Sequence, residues 1–184
     1  MTAPIVILQT QNNQQAKLAL GNAVGADDLL IVAASTGASI GTVRDTIGPQ
    51  YNLAASSIDP GFGTNQVVVW WGIAPRSGAN TVFVPNAILG AFAGLQVWEV
   101  AGANALHAAQ GGGNVSSATW NGGLALPRMA PVELILYICS ANSELVSNPT
   151  TGTWTQTAIN TDLASIASDV AKVKALYTTP NCGA

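Results

Sequence analysis

Charge is scarce in this sequence. Six Lys and Arg and nine Asp and Glu among 184 residues make 8%, where an ordinary soluble domain carries about 25%. Six cations are too few for the clustered basic face that phosphate backbones or anionic lipid headgroups require, so neither nucleic acid nor an anionic membrane surface is an expected partner. Histidine is scarcer still. His107 is the only one, in Ala-Leu-His-Ala-Ala with no Cys or second His beside it, whereas a zinc site needs three or four such ligands. Long apolar runs are missing too. The most apolar stretch, Ala87–Leu95, has nine residues, against about 20 for a spanning helix. Gly90-x-x-x-Gly94 inside it is therefore not read as a helix-pairing motif of the bilayer, and no membrane insertion is expected. No Lys or Arg precedes Lys17, so no intact secretory leader is expected. Two cysteines, Cys139 and Cys182, permit one disulfide without requiring it.

What fills the sequence instead is uncharged polarity, with 51 Asn, Gln, Ser and Thr residues. Between them run short apolar or alternating segments. These are Ile5–Gln9, Lys17–Leu20, Leu29–Ala34, Thr42–Asp45, Tyr51–Ala55, Gln66–Ile73, Asn80–Val84, Leu95–Val100, Val132–Ser140 and Thr153–Ala158. They are rich in Val, Ile, Trp, Thr and Tyr, which suit a pleated, half-buried surface. Breakers separate them, among them Gly48-Pro49, Asp59-Pro60-Gly61, Arg76-Ser77-Gly78, Asn121-Gly122-Gly123 and Asn148-Pro149. Many strands with turns between them predict an all-β chain, an antiparallel β-sandwich forming a single domain over 1–184. One segment dissents. Ile159, Leu163, Ile166, Val170, Val173 and Tyr177 are spaced as a helical stripe, which allows one short helix near 160–177. The rival is a strand from Val170, with Val173, Ala175 and Tyr177 on one face and Lys172 and Lys174 on the other.

Each chemical motif has a plainer structural reading. Gly37-Ala38-Ser39-Ile40-Gly41 matches G-x-S-x-G after an apolar strand, and His107 with Asp59 or Glu99 would complete a hydrolase chain order. Gly48-Pro49 nevertheless ends any following helix within two turns, so a glycine-rich loop is expected. Asp27-Asp28 resembles a calcium-binding pair, but neighbouring strand-start residues point in opposite directions. Asp45 and Glu99 are carboxylates in otherwise apolar strands, and with Arg44 and Arg76 nearby they suit ion pairing or turn capping better than a catalytic pair. No catalytic, metal-binding or cofactor-binding residue is assigned, and no enzyme is expected. The tryptophans Trp70, Trp71, Trp98, Trp120 and Trp154 have two uses. Adjacent Trp70 and Trp71 must face opposite sides of one strand. An outward indole among Trp70, Trp71, Trp120 and Trp154 would stack on a sugar ring or anchor a protein contact.

A poorly charged exterior gives little repulsion between molecules, so the chain is expected to assemble with copies of itself or to sit on a larger body. An ordered series of motifs agrees. Gly25-Ala26-Asp27-Asp28-Leu29-Leu30-Ile31-Val32 is followed by Val43-x-Asp45-x-x-Gly48-x-x-Tyr51, by Val69-Trp70 and by Gly78-Ala79-Asn80-Thr81-Val82. Leu95-Gln96-Val97-Trp98-Glu99-Val100-Ala101-Gly102, Pro131–Leu136 and Trp154-Thr155-Gln156 continue it. The series resembles a β-sandwich domain, Ig-like or jelly-roll-like, that recurs in bacterial secreted proteins and phage structural proteins. That resemblance implies turn-forming roles for Asp45 and Gly48, no reaction, and a strand at Val170–Thr178. It also implies one more apolar strand, which does not follow before Ala184; an unpaired sheet edge is expected, with segments 1–15 and 178–184 available for assembly. The expected function is a structural protein of a phage-like particle, a capsid decoration or tail appendage built in the host cytoplasm. Its partners would be its own copies or a capsid or tail protein. The alternative is a secreted or cell-surface module that binds carbohydrate.

Overall fold

The structure, a computed structural model, describes residues 5–13, 15–36, 40–58, 66–85, 92–103, 105, 109, 135–141, 155–159 and 172–178. Every regular element among them is a strand, and every strand pairing is antiparallel. The strands are β1 (Val6–Asn13), β2 (Lys17–Ala19), β3 (Leu29–Thr36), β4 (Arg44–Asp45), β5 (Asn52–Ile58), β6 (Gln66–Ile73), β7 (Thr81–Phe83), β8 (Phe92–Ala101), β9 (Ile135–Ala141), β10 (Thr155–Ile159) and β11 (Lys172–Thr178). A five-stranded sheet has the order β1-β8-β3-β6-β5. Two three-stranded sheets have the orders β2-β7-β4 and β10-β11-β9. Where they are described, the ten apolar or alternating runs each contain a strand, and 132–134 and 153–154 lie outside the described residues.

Register explains where the core lies. On one face of the five-stranded sheet, Val32 stands between Val97 and Trp70, and Ala34 between Leu95 and Val68. On the other face, Leu29 stands between Val100 and Ile73, and Ile31 between Trp98 and Trp71. Both faces are therefore apolar, which is why Leu29–Ala34 reads as a continuous run and not as an alternation. The first face shares one buried cluster with Leu18 of β2, Val82 of β7, and Val24, Val43, Ile47 and Tyr51 from the connecting segments. The second face gathers Leu29, Ala33, Trp98 and Val100, with Ile7, Ile31, Val69, Trp71 and Ile73 packed against them. The backbone of β10 lies against β1, that of β11 against β8, and that of β9 against β6.

The helical stripe from Ile159 to Tyr177 does not make one helix. Ile159 ends β10, while Val173 and Tyr177 sit in β11 opposite Ser140 and Leu136 of β9. β11 bonds to strands on both sides, and such cross-strand pairing outweighs a local period of 3.6. The middle of the stripe, 160–171, lies outside the described residues.

Candidate functional site

Two polar clusters and two sheet edges hold the chemistry-bearing side chains. The first cluster is the turn after β4. Asp45 Oδ1 accepts from Ile47 N at 3.1 Å and Gly48 N at 2.7 Å. Its Oδ2 accepts from the Tyr51 hydroxyl and from Asn80 Nδ2, both at 2.8 Å. Asn80 Oδ1 in turn accepts from Thr46 N at 3.3 Å and from Thr46 Oγ1 at 3.2 Å. Arg76 does not pair with this carboxylate in the cluster but donates from Nη2 to Thr46 O at 3.0 Å and from Nε to Ile47 O at 3.3 Å. Burial, then the Asp45 charge and hydrogen bond, push the Tyr51 phenol above its usual range, so it stays a proton donor. Four donors of the chain itself occupy Asp45. It is a turn-former, as the motif series implied.

The second cluster lies where β8 passes the turn before β3. Glu99 is 2% exposed. Its Oε1 accepts from Gly25 N at 2.8 Å, and its Oε2 accepts from Gln9 Nε2. Gln9 also grips the adjacent segment, with Nε2 donating to Asn22 O and Asn22 N donating to Gln9 Oε1, each at 3.1 Å. The Asp28 carboxyl hydrogen-bonds to Glu99, and its pKa is raised by burial, by that hydrogen bond and by the Glu99 charge. A Cβ on Gly25 would meet Asp28 Oδ2, so a larger residue there would require the Asp28 carboxyl to shift. Sequence reading gave Glu99 an ion-pairing or turn-capping role without a partner; the fold places it with Asp28 and Gln9. Alternation along β1 and β8 puts Gln9 and Glu99 opposite one another, but only the sheet order makes those strands neighbours. Asp27, exposed with φ at 66°, turns the chain. Among the described residues no group of three His, Cys, Asp or Glu is placed to hold a metal ion, and no helix is long and apolar enough to cross a membrane.

The adjacent tryptophans separate as β geometry requires. Trp70 is 3% exposed and packs in the first core cluster, which removes it from the expected surface set. Trp71 is half-buried on the opposite face, separated by Ile31 from Trp98, which is fully buried. Trp120, Trp154, Ser39, His107 and Cys182 lie outside the described residues, and Cys139 is described only as a backbone position in β9, opposite Lys174.

The sheet edges carry what sequence reading did not single out. The exposed large hydrophobic residues among those described are Val6, Leu8 and Leu53. Val6 and Leu8 lie on β1 and Leu53 on β5, the two outer strands of the five-stranded sheet. Neither strand contains a charged residue. Lack of charge could not mark them in the sequence, because β3, β6, β9 and β10 are uncharged as well, and which runs become edges depends on topology.

No protein family, curated protein or solved structure matches this chain.

Proposed function

We propose that this chain is a non-enzymatic structural subunit of a phage-like particle, a capsid decoration or tail appendage that acts through contacts with its own copies or with a capsid or tail protein. The observation that carries this reading is the placement of Val6, Leu8 and Leu53 on uncharged outer strands. Natural monomers blunt such edges with Lys, Pro or covering segments, whereas assembling proteins leave them bare. The filled acceptors of Asp45 and the buried position of Glu99 support scaffolding roles for both carboxylates. The particle itself is argued from the motif series and the low charge of the chain.

In this reading the layers form a sandwich, jelly-roll or Ig-like. The β2-β7-β4 sheet covers one face of the five-stranded sheet, and β9, β10 and β11 cover the other, in line with the buried state of Trp98 and Val100. Electron imaging of particles from the native source, with an antibody against this chain, tests the function. Label on a repeating lattice or appendage is expected; a freely soluble species overturns it.

The second reading, a carbohydrate-binding module outside the cell, has one favouring observation: Trp71 is only half-buried, and exposed Asn52 is its β5 neighbour. An indole face beside an amide suits a sugar ring. Tryptophan fluorescence titrated with soluble polysaccharides tests it, and loss of the response in Trp71→Ala is the expected result.

A further inference from the structure

We propose that β5 is the docking edge for a second copy of this chain, joined by antiparallel β5-to-β5 pairing about a two-fold axis. The inference deepens the assembly reading and rests on it, by naming the surface and the partner. β5 closes the order β1-β8-β3-β6-β5 and, among the described residues, is bonded on one side only, to β6. Its outer side therefore presents a row of backbone N–H and C=O groups, a template for another strand. Leu53 is 61% exposed, and Asn52 and Ser56 are exposed as well. The bulge between Leu53 and Ala55 sits at the start of the strand and leaves Ala55–Ile58 in unbroken register with Val69–Gln66.

The chemistry of the edge selects a copy of itself. A two-fold contact sets an edge against its own equivalent, so any charge on it would face its own sign across the pair. No charged residue occurs from Thr46 to Ile58, and no proline interrupts β5. A dissimilar partner steered by charge would find nothing complementary on this strand. Antiparallel pairing is also the arrangement of every strand pair in the described fold. The opposite edge differs. There Gln9 and Asn13 of β1 spend their side chains on the chain's own backbone, at Asn22 O and Lys17 O, so that flank is partly claimed by the segment around β2.

Sedimentation of the full chain across a concentration series reads the contact. The wild type is expected to form a dimer. Leu53→Lys and Ser56→Pro are expected to weaken dimerisation at least tenfold with unchanged circular dichroism, whereas Leu8→Lys on the other edge leaves the dimer intact. If Ser56→Pro fails to fold, Leu53→Lys alone decides. A dimer that survives Leu53→Lys but is lost in Leu8→Lys overturns the β5 assignment and leaves assembly standing. A wild type that stays monomeric throughout also overturns it, while the particle reading then falls only if imaging of the native source finds no labelled lattice.

Discussion

Gly25, in the turn before β3, donates its N–H to Glu99 Oε1 in β8 at 2.8 Å, across 74 residues of sequence. The bond fastens a loop to the middle of the five-stranded sheet, and Asp28 joins the same carboxylate. Because the Asp28 pKa is raised in the fold, the native state holds that proton more tightly than the unfolded chain. That stabilisation is complete below the unfolded value of about 3.9 and is lost as pH rises through the raised value. Asp28→Asn keeps a donor toward Glu99 at every pH. It is expected to melt higher than the wild type near neutral pH, with a flatter profile of melting temperature against pH. A variant that melts lower at neutral pH would show that an ionised Asp28 beside Glu99 is not a cost to the fold.

Asp45 is a different kind of carboxylate, saturated by donors from Ile47, Gly48, Tyr51 and Asn80. Removing the acceptor leaves a buried phenol and an amide without partners, at a cost of about 1–3 kcal/mol for such groups. Asp45→Ala is expected to lose about 3 kcal/mol in urea unfolding, and Tyr51→Phe about 1–2 kcal/mol. The two losses should not add, since they share one hydrogen bond. A loss in Asp45→Ala below that of Tyr51→Phe would contradict the network.

How far the sequence revealed this arrangement depends on the range of the interaction. Strands were legible because apolar runs such as Gln66–Ile73 and breakers such as Gly48-Pro49 are local signals, and strands occupy the described parts of those runs. The Asp45 turn was legible for the same reason: three of its four donors lie within six residues of it. Glu99 with Asp28 and Gln9 was not, because those three residues meet only through the neighbour relations of β1, β8 and β3. The 159–177 stripe left helix and strand open for a related reason, as it reports a local period while pairing with β9 and β10 determines the state of β11. Leu53 lies in an apolar run of the sequence, and that it ends up exposed on an outer strand depends on the sheet order.

Gly48 tests the backbone alone. Its φ is +80°, and a Cβ there would meet no atom within 4 Å. Gly48→Ala therefore carries the conformational penalty without a clash, about 1 kcal/mol. Thermal melts should show the loss, and Gly48→Asn, which tolerates the left-handed region better, should recover part of it. Equal losses for Ala and Asn would indicate that the turn relaxes out of that region.

The tryptophans test whether both faces of the five-stranded sheet are interior. Trp70 faces the cluster shared with β2 and β7, and Trp98 faces the cluster on the other side. If each face is a packed layer, Trp70→Ala and Trp98→Ala should each cost about 3–5 kcal/mol. Trp71, half-buried on the same face as Trp98, should cost less, about 1–2 kcal/mol. Urea unfolding of the three variants separates two architectures. A large loss at Trp70 with a small one at Trp98 would mean that only the β2-β7-β4 side is packed, leaving the second face as a surface. Similar large losses at both positions would mean that the apolar character of Leu29–Ala34 on both faces reflects enclosure, and that exposed apolar surface is confined to the sheet edges at Val6, Leu8 and Leu53.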